Sequence, residues 1–185
     1  MFDRKISRFV SILLILALLF ATGACSASND KDVIKAASKY AEALSGGDIQ
    51  YIRRASLDAT SEEMDNIRHR LEADGNKGGV IEAIRGAIDY EVDEGSADID
   101  GDSASVKVVF GVPDWKSLAE DSSVFKDTDT YVRALTETDK KTDVTIGLEL
   151  QKDDNGVWKI VNHAEAAEEF YDSWTDAAAP VSSAD

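Results

Sequence analysis

Side-chain chemistry in this chain would rest on few reactive groups: one cysteine and two histidines among 185 residues. Cys25 stands alone, so neither an internal disulfide nor a cysteine metal cluster is open to it. His69 lies in "NIRHRLEADG", on the predicted helix face turned away from Ile67 and Leu71, and is expected to be solvated. His163 follows the last predicted strand and reads as a strand-to-helix junction. No HExxH, no Cys/His cluster and no phosphate-cradling glycine loop occurs, so the sequence implies no metal and no cofactor. "DIDGDSAS" alternates Asp98, Asp100 and Asp102, but a calcium loop wants glycine at its sixth position and an acid at its twelfth. Ser103 and Val109 stand there, which leaves a β-turn at Asp100-Gly101-Asp102. "KDDNG" likewise reads as a hairpin turn before it reads as a metal site.

The surroundings of the cysteine are more telling. Arg4, Lys5 and Arg8 precede Phe9 to Ala21, thirteen residues that are almost wholly apolar. A spanning helix needs about 20 such residues, so the run suits a signal-peptide core. Thr22-Gly23-Ala24-Cys25 follows. This order resembles the lipobox of bacterial lipoproteins, with Thr22 where an aliphatic residue is commoner. The resemblance implies a signal peptide over 1–24, a diacylglycerol on the Cys25 thiol and cleavage just before it. It also implies a lipid-anchored protein on the extracytoplasmic face of a bacterial cell membrane. One acyl chain holds a protein marginally, whereas two anchor it stably. The other reading is an ordinary secretory signal cut near "ATGA", leaving Cys25 a free thiol.

Composition narrows the remainder. Losing residues 1–24 removes three bases and one acid, so the formal charge moves from −16 to −18. The remaining length suits one domain with a full core. Such acidity argues against nucleic acid as a partner, because that recognition rests on Lys and Arg neutralising phosphates. An acidic surface also keeps a domain soluble and off an anionic bilayer.

The elements that must position these residues follow from periodicity. Residues 25–31, Cys25 with most of the polar run "SASNDKD", read as a tether. Val33, Ala37, Tyr40, Ala41 and Leu44 fall at helical spacing, and Gly46-Gly47 end that helix. Asp48 can cap a second helix, and Thr60 with Glu63 forms a capping-box pattern before Met64, Ile67 and Leu71, with Gly75 as the stop. "GNKGG" reads as a flexible break, and "VIEAIRGAIDY" as a short helix running into a strand. Period-two alternation then appears in "SASVKVVF" and "DVTIGLEL", with "GVWKIV" after the Asn155-Gly156 turn. Pro113 and Asp114 end a strand and cap a helix, and Tyr131, Val132 and Leu135 mark a helix in the long connection. Ala167, Phe170, Tyr171 and Trp174 form the apolar stripe of a final helix, expected to dock on its own sheet. One α+β domain is expected over 32–175, with a disordered tail over 176–185.

The order of elements, the "DGDSASVKVVF" strand running into "VPDW" and the late "NGVWKIV" hairpin resemble the nuclear transport factor 2-like fold. More narrowly, they are similar to small bacterial lipoproteins that carry it. The resemblance covers about residues 31–162 and implies N-terminal helices packed in a curved antiparallel sheet, a cone. That family includes isomerases, dehydratases and binding modules, so the fold does not choose the function. An isomerase-like site in it would use a buried Asp with Tyr donors, for which Asp89, Tyr90 and Tyr131 are the candidates. Trp158 joins them as a pocket candidate, and a place at the rim would be the catalytic reading of His163. Aromatic core is the plainer account of the same residues. The primary expectation is a non-catalytic module that binds a small molecule or a protein. The alternative is a small-molecule isomerase- or dehydratase-like enzyme using the cone pocket, and homodimerisation through the open sheet is a third expectation.

Overall fold

The computed structural model describes the backbone of residues 23–72 and 76–178, and side chains within 30–72 and 79–177. The apolar segment up to Thr22, expected to be a signal peptide, the Cys25 side chain and the chain after Ala178 lie outside the described residues. Val33, Ala37, Tyr40, Ala41 and Leu44 turn one face of α1 (Gly23–Gly46) fully inward. The helix runs back to Gly23, through the stretch read as a tether. No proline interrupts it there, and a nucleated helix extends at little cost. Gly47 follows at φ +67°, the left-handed conformation glycine takes without strain.

Asp48 accepts from the Tyr51 N–H at 2.9 Å and caps α2 (Ile49–Ala55). On α3 (Ser61–Leu71) the capping box is complete: Thr60 Oγ1 accepts from Glu63 N, and Glu63 Oε2 accepts from Thr60 N at 2.8 Å. Helix α3 stops at Leu71, ahead of the expected glycine, and α4 (Asn76–Ala87) starts inside "GNKGG". The flexible break expected there is thus the first turn of a helix. Glycine weakens helical propensity, but Val80, Ile81 and Ile84 are buried and hold the segment through packing.

Four antiparallel strands follow in chain order: β1 (Asp89–Asp100), β2 (Ser103–Pro113), β3 (Lys141–Lys152) and β4 (Trp158–Ile160). Alternation does the sorting. Val106, Val108, Phe110, Ile146, Leu148 and Leu150 are buried under the helices, while Ser103, Ser105, Lys107, Thr145 and Glu149 face solvent. The β1–β2 register slips between Asp93 and Asp98, where Ser96 Oγ donates to Asp93 O and accepts from Lys107 N. A two-residue turn at Gly101-Asp102 joins them, with Gly101 at φ +61°. In the β3–β4 connection Asp153 Oδ1 accepts from both Asn155 N and Val157 N, and Gly156 sits at φ +75°. Beyond the short β4 the side chain of Asn162 takes over: its Oδ1 accepts from Glu149 N and its Nδ2 donates to Gly147 O. On the outer side of β4, Leu57 N donates to Ile160 O.

The β2–β3 connection holds two helices. Asp114 accepts from Ser117 N and caps α5 (Trp115–Glu120), the helix expected to start after Pro113. Asp127 caps α6 (Thr128–Glu137), which turns Tyr131 and Leu135 inward as its spacing predicts. After the sheet come α7 (His163–Asp172) and a 3-10 turn (Thr175–Ala178). Ala167, Phe170, Tyr171 and Trp174 are fully buried, so the final stripe docks on its own domain. Ala177 is also fully buried, which carries the packed chain past residue 175, where the tail was expected to begin.

Candidate binding site

Asp89 and Tyr90 are neighbours in β1 and therefore point to opposite faces of the sheet. Asp89 lies outside, 70% exposed, with its Oδ2 2.6 Å from Lys141 Nζ of β3. This pair spans β2 above Gly111, where a Cβ would collide with the Asp89 carboxylate. Tyr90 is half-buried on the inner face, its ring 6.2 Å from that of Phe110. Tyr131 is fully buried on α6, its hydroxyl directed at Ala177 O at 3.5 Å, and burial pushes it up to about 12. Trp158 sits in β4 at the opposite edge of the sheet from β1, with Lys152 Nζ 4.9 Å from its ring centre. The four candidates therefore do not converge on one cavity.

The space beneath the sheet is occupied by rings. Phe170 lies 4.4 Å from Phe110, 5.1 Å from Tyr171 and 6.0 Å from Trp174, centre to centre. Tyr171 OH donates to Leu44 O at 3.0 Å and Tyr40 OH to His163 O at 3.1 Å. Burial holds both hydroxyls well above the ordinary phenol range, so they tie helices together and stay protonated.

The two histidines divide as their positions suggest. His69 is exposed beside Glu72 at 3.3 Å. His163 is buried at the start of α7, with Nε2 3.3 Å from Glu63 Oε2 and no partner at Nδ1. Hydrogen bonds from Thr60 N and the Thr60 hydroxyl hold the Glu63 carboxyl below its usual range, with His163 as a smaller contributor. One carboxylate thus caps α3 and fastens α7 to it.

The acidic turn residues serve the sheet. Asp102 lies 3.2 Å from Lys152 Nζ, while Asp98 and Asp100 face solvent beside a shallow hollow of about 400 Å³ that also meets Ser105 and Glu149. A second, narrower groove of about 220 Å³ runs between α1, α2 and β4, lined by Tyr51, Arg54, Val157, Trp158 and Lys159. Of these, sequence reasoning singled out Trp158 alone. The available signals were the Arg53-Arg54 pair in an acidic chain and the apolar Val157 directly after a polar turn. Comparison of the chain with protein-family models, with curated proteins and with solved structures finds no match.

Proposed function

We propose that the protein is a lipoprotein anchored through Cys25 to the extracytoplasmic face of a bacterial membrane, and that its domain is a non-catalytic binding module. The charged, apolar, small-residue and cysteine order of residues 4–25 supports the anchor. For the domain, the observation that carries the reading is the filled interior. Phe110, Phe170, Tyr171 and Trp174 occupy the space where a cone enzyme would hold substrate, and Asp89 is turned outward onto Lys141. Assignment to the nuclear transport factor 2-like cone belongs to the same proposal. It is supported by α1, which packs against both edge strands, β1 and β4, as a helix inside a wrapped sheet does.

The anchor is tested by Cys25→Ser, which should leave the membrane fraction or accumulate as unprocessed precursor. Mass spectrometry finding an unmodified Cys25 in the mature protein would sink it. The module is tested by native mass spectrometry after incubation with a small-molecule extract of the host. A retained compound of unchanged mass is expected. Turnover to a new product mass would instead make the chain an enzyme.

A further inference from the structure

We infer that the groove between α1, α2 and β4 is a binding site for a small organic carboxylate with a ring-sized apolar body. The inference deepens the binding-module reading and rests on it. Charge is the first reason. In a chain of net charge −16, two cations, Arg54 and Lys159, stand on this one groove. Among the described residues Arg54 makes no ion pair. Its guanidinium lies 5.8 Å from the centre of the Tyr51 ring, its planar fork open to a carboxylate.

Lys159 is held in place, because Nζ donates to Arg54 O at 2.7 Å. Its nearest carboxylate oxygen, Asp153 Oδ2, is 3.9 Å away, and the other oxygen of Asp153 is occupied by the hairpin N–H groups. Glu42 acts on Tyr51 from a neighbouring hollow that does not include Arg54. The end of α2 does not repel an anion strongly either. Its Arg54 carbonyl is taken by Lys159, and Ile52 O accepts from Ser56 N and Ser56 Oγ.

Apolar surface is the second reason. Val157 is 52% exposed, the more open of two exposed large apolar side chains among the described residues, and it lines this groove. Tyr51 and Trp158 supply aromatic walls beneath it. At about 220 Å³ the groove is smaller than the usual ligand pocket of 300–1,000 Å³, which fits one ring and its carboxylate.

The probe is phenylacetate, titrated into the full chain and followed by tryptophan fluorescence and by NMR shifts at Tyr51 and Val157. Saturable binding is expected, about tenfold weaker in Arg54→Gln and only partly weakened in Arg54→Lys. Phenethylamine, the cationic counterpart, should bind about tenfold more weakly than phenylacetate. Arg54 is exposed, so the variants should keep the wild-type melting temperature, which is measured alongside. Equal binding of the amine and the acid, or unchanged affinity in Arg54→Gln, overturns the inference. No binding of phenylacetate by folded protein overturns the site, while the host-extract measurement still decides separately whether the domain binds a small molecule.

Discussion

Glu63 shows how much one side chain can carry. Its Oε2 accepts from Thr60 N and from the Thr60 hydroxyl, and meets His163 Nε2 across the gap to α7. All three contacts favour the ionised carboxylate, which is why it is held below its ordinary value. A carboxylate with a depressed folded value adds stability that is fully present above its unfolded value. That contribution is lost as pH falls through the folded one. Glu63→Gln should therefore melt below the wild type at pH 7, and the gap should shrink as pH drops below 4.5. Thermal denaturation of both proteins across pH 3–7 checks this. A gap that stays constant to the acid end would mean that shape, not charge, makes the Glu63 contribution.

At the scale of elements, α7 and the following turn are the decisive pieces. They place Phe170, Tyr171 and Trp174 in the core with no exposure, each worth about 1.5–3 kcal/mol in burial. Domains of this size are stable by only about 5–15 kcal/mol. Truncation after His163 should thus remove most of the cooperative unfolding transition and sharply raise binding of a hydrophobic dye. A truncated chain that melts as the wild type does would show α7 to be an ornament. This helix was legible because four large or small apolar residues recur at 167, 170, 171 and 174. The caps at Asp48, Thr60 and Asp114 were legible for the same local reason, since the donor and acceptor lie within three residues. The start of α4 was not, because its glycines argue against a helix and the packing that overrides them is distant in sequence. Nor was the groove, whose Arg54 and Val157 are a hundred residues apart and meet only because Leu57 and Lys159 bind α2 and its exit to β4.

Across the whole molecule the outer sheet face is the main exposed plane. It presents Asp89, Glu91, Asp93, Asp98, Asp100, Asp143 and Glu149 against Lys107, Lys141 and, on the β4 edge, Lys159. A two-fold pairing through this plane would bring carboxylates onto carboxylates, which costs most where salt does not screen it. The chain should therefore sediment as a monomer at low ionic strength. A dimer that strengthens as salt is withdrawn would contradict this and revive the sheet as a contact surface. The border of that plane matters as much as its charge. The free N–H and C=O groups along a terminal strand invite another copy to extend the sheet. Here the amide of Asn162 occupies Gly147 O and Glu149 N beyond β4, and Leu57 N occupies Ile160 O. Lipid-held molecules share two dimensions and collide with their own kind far more often than dilute ones. If Cys25 carries the proposed anchor, a side chain posing as a fourth strand's continuation would keep neighbours in that crowd from stitching into fibres.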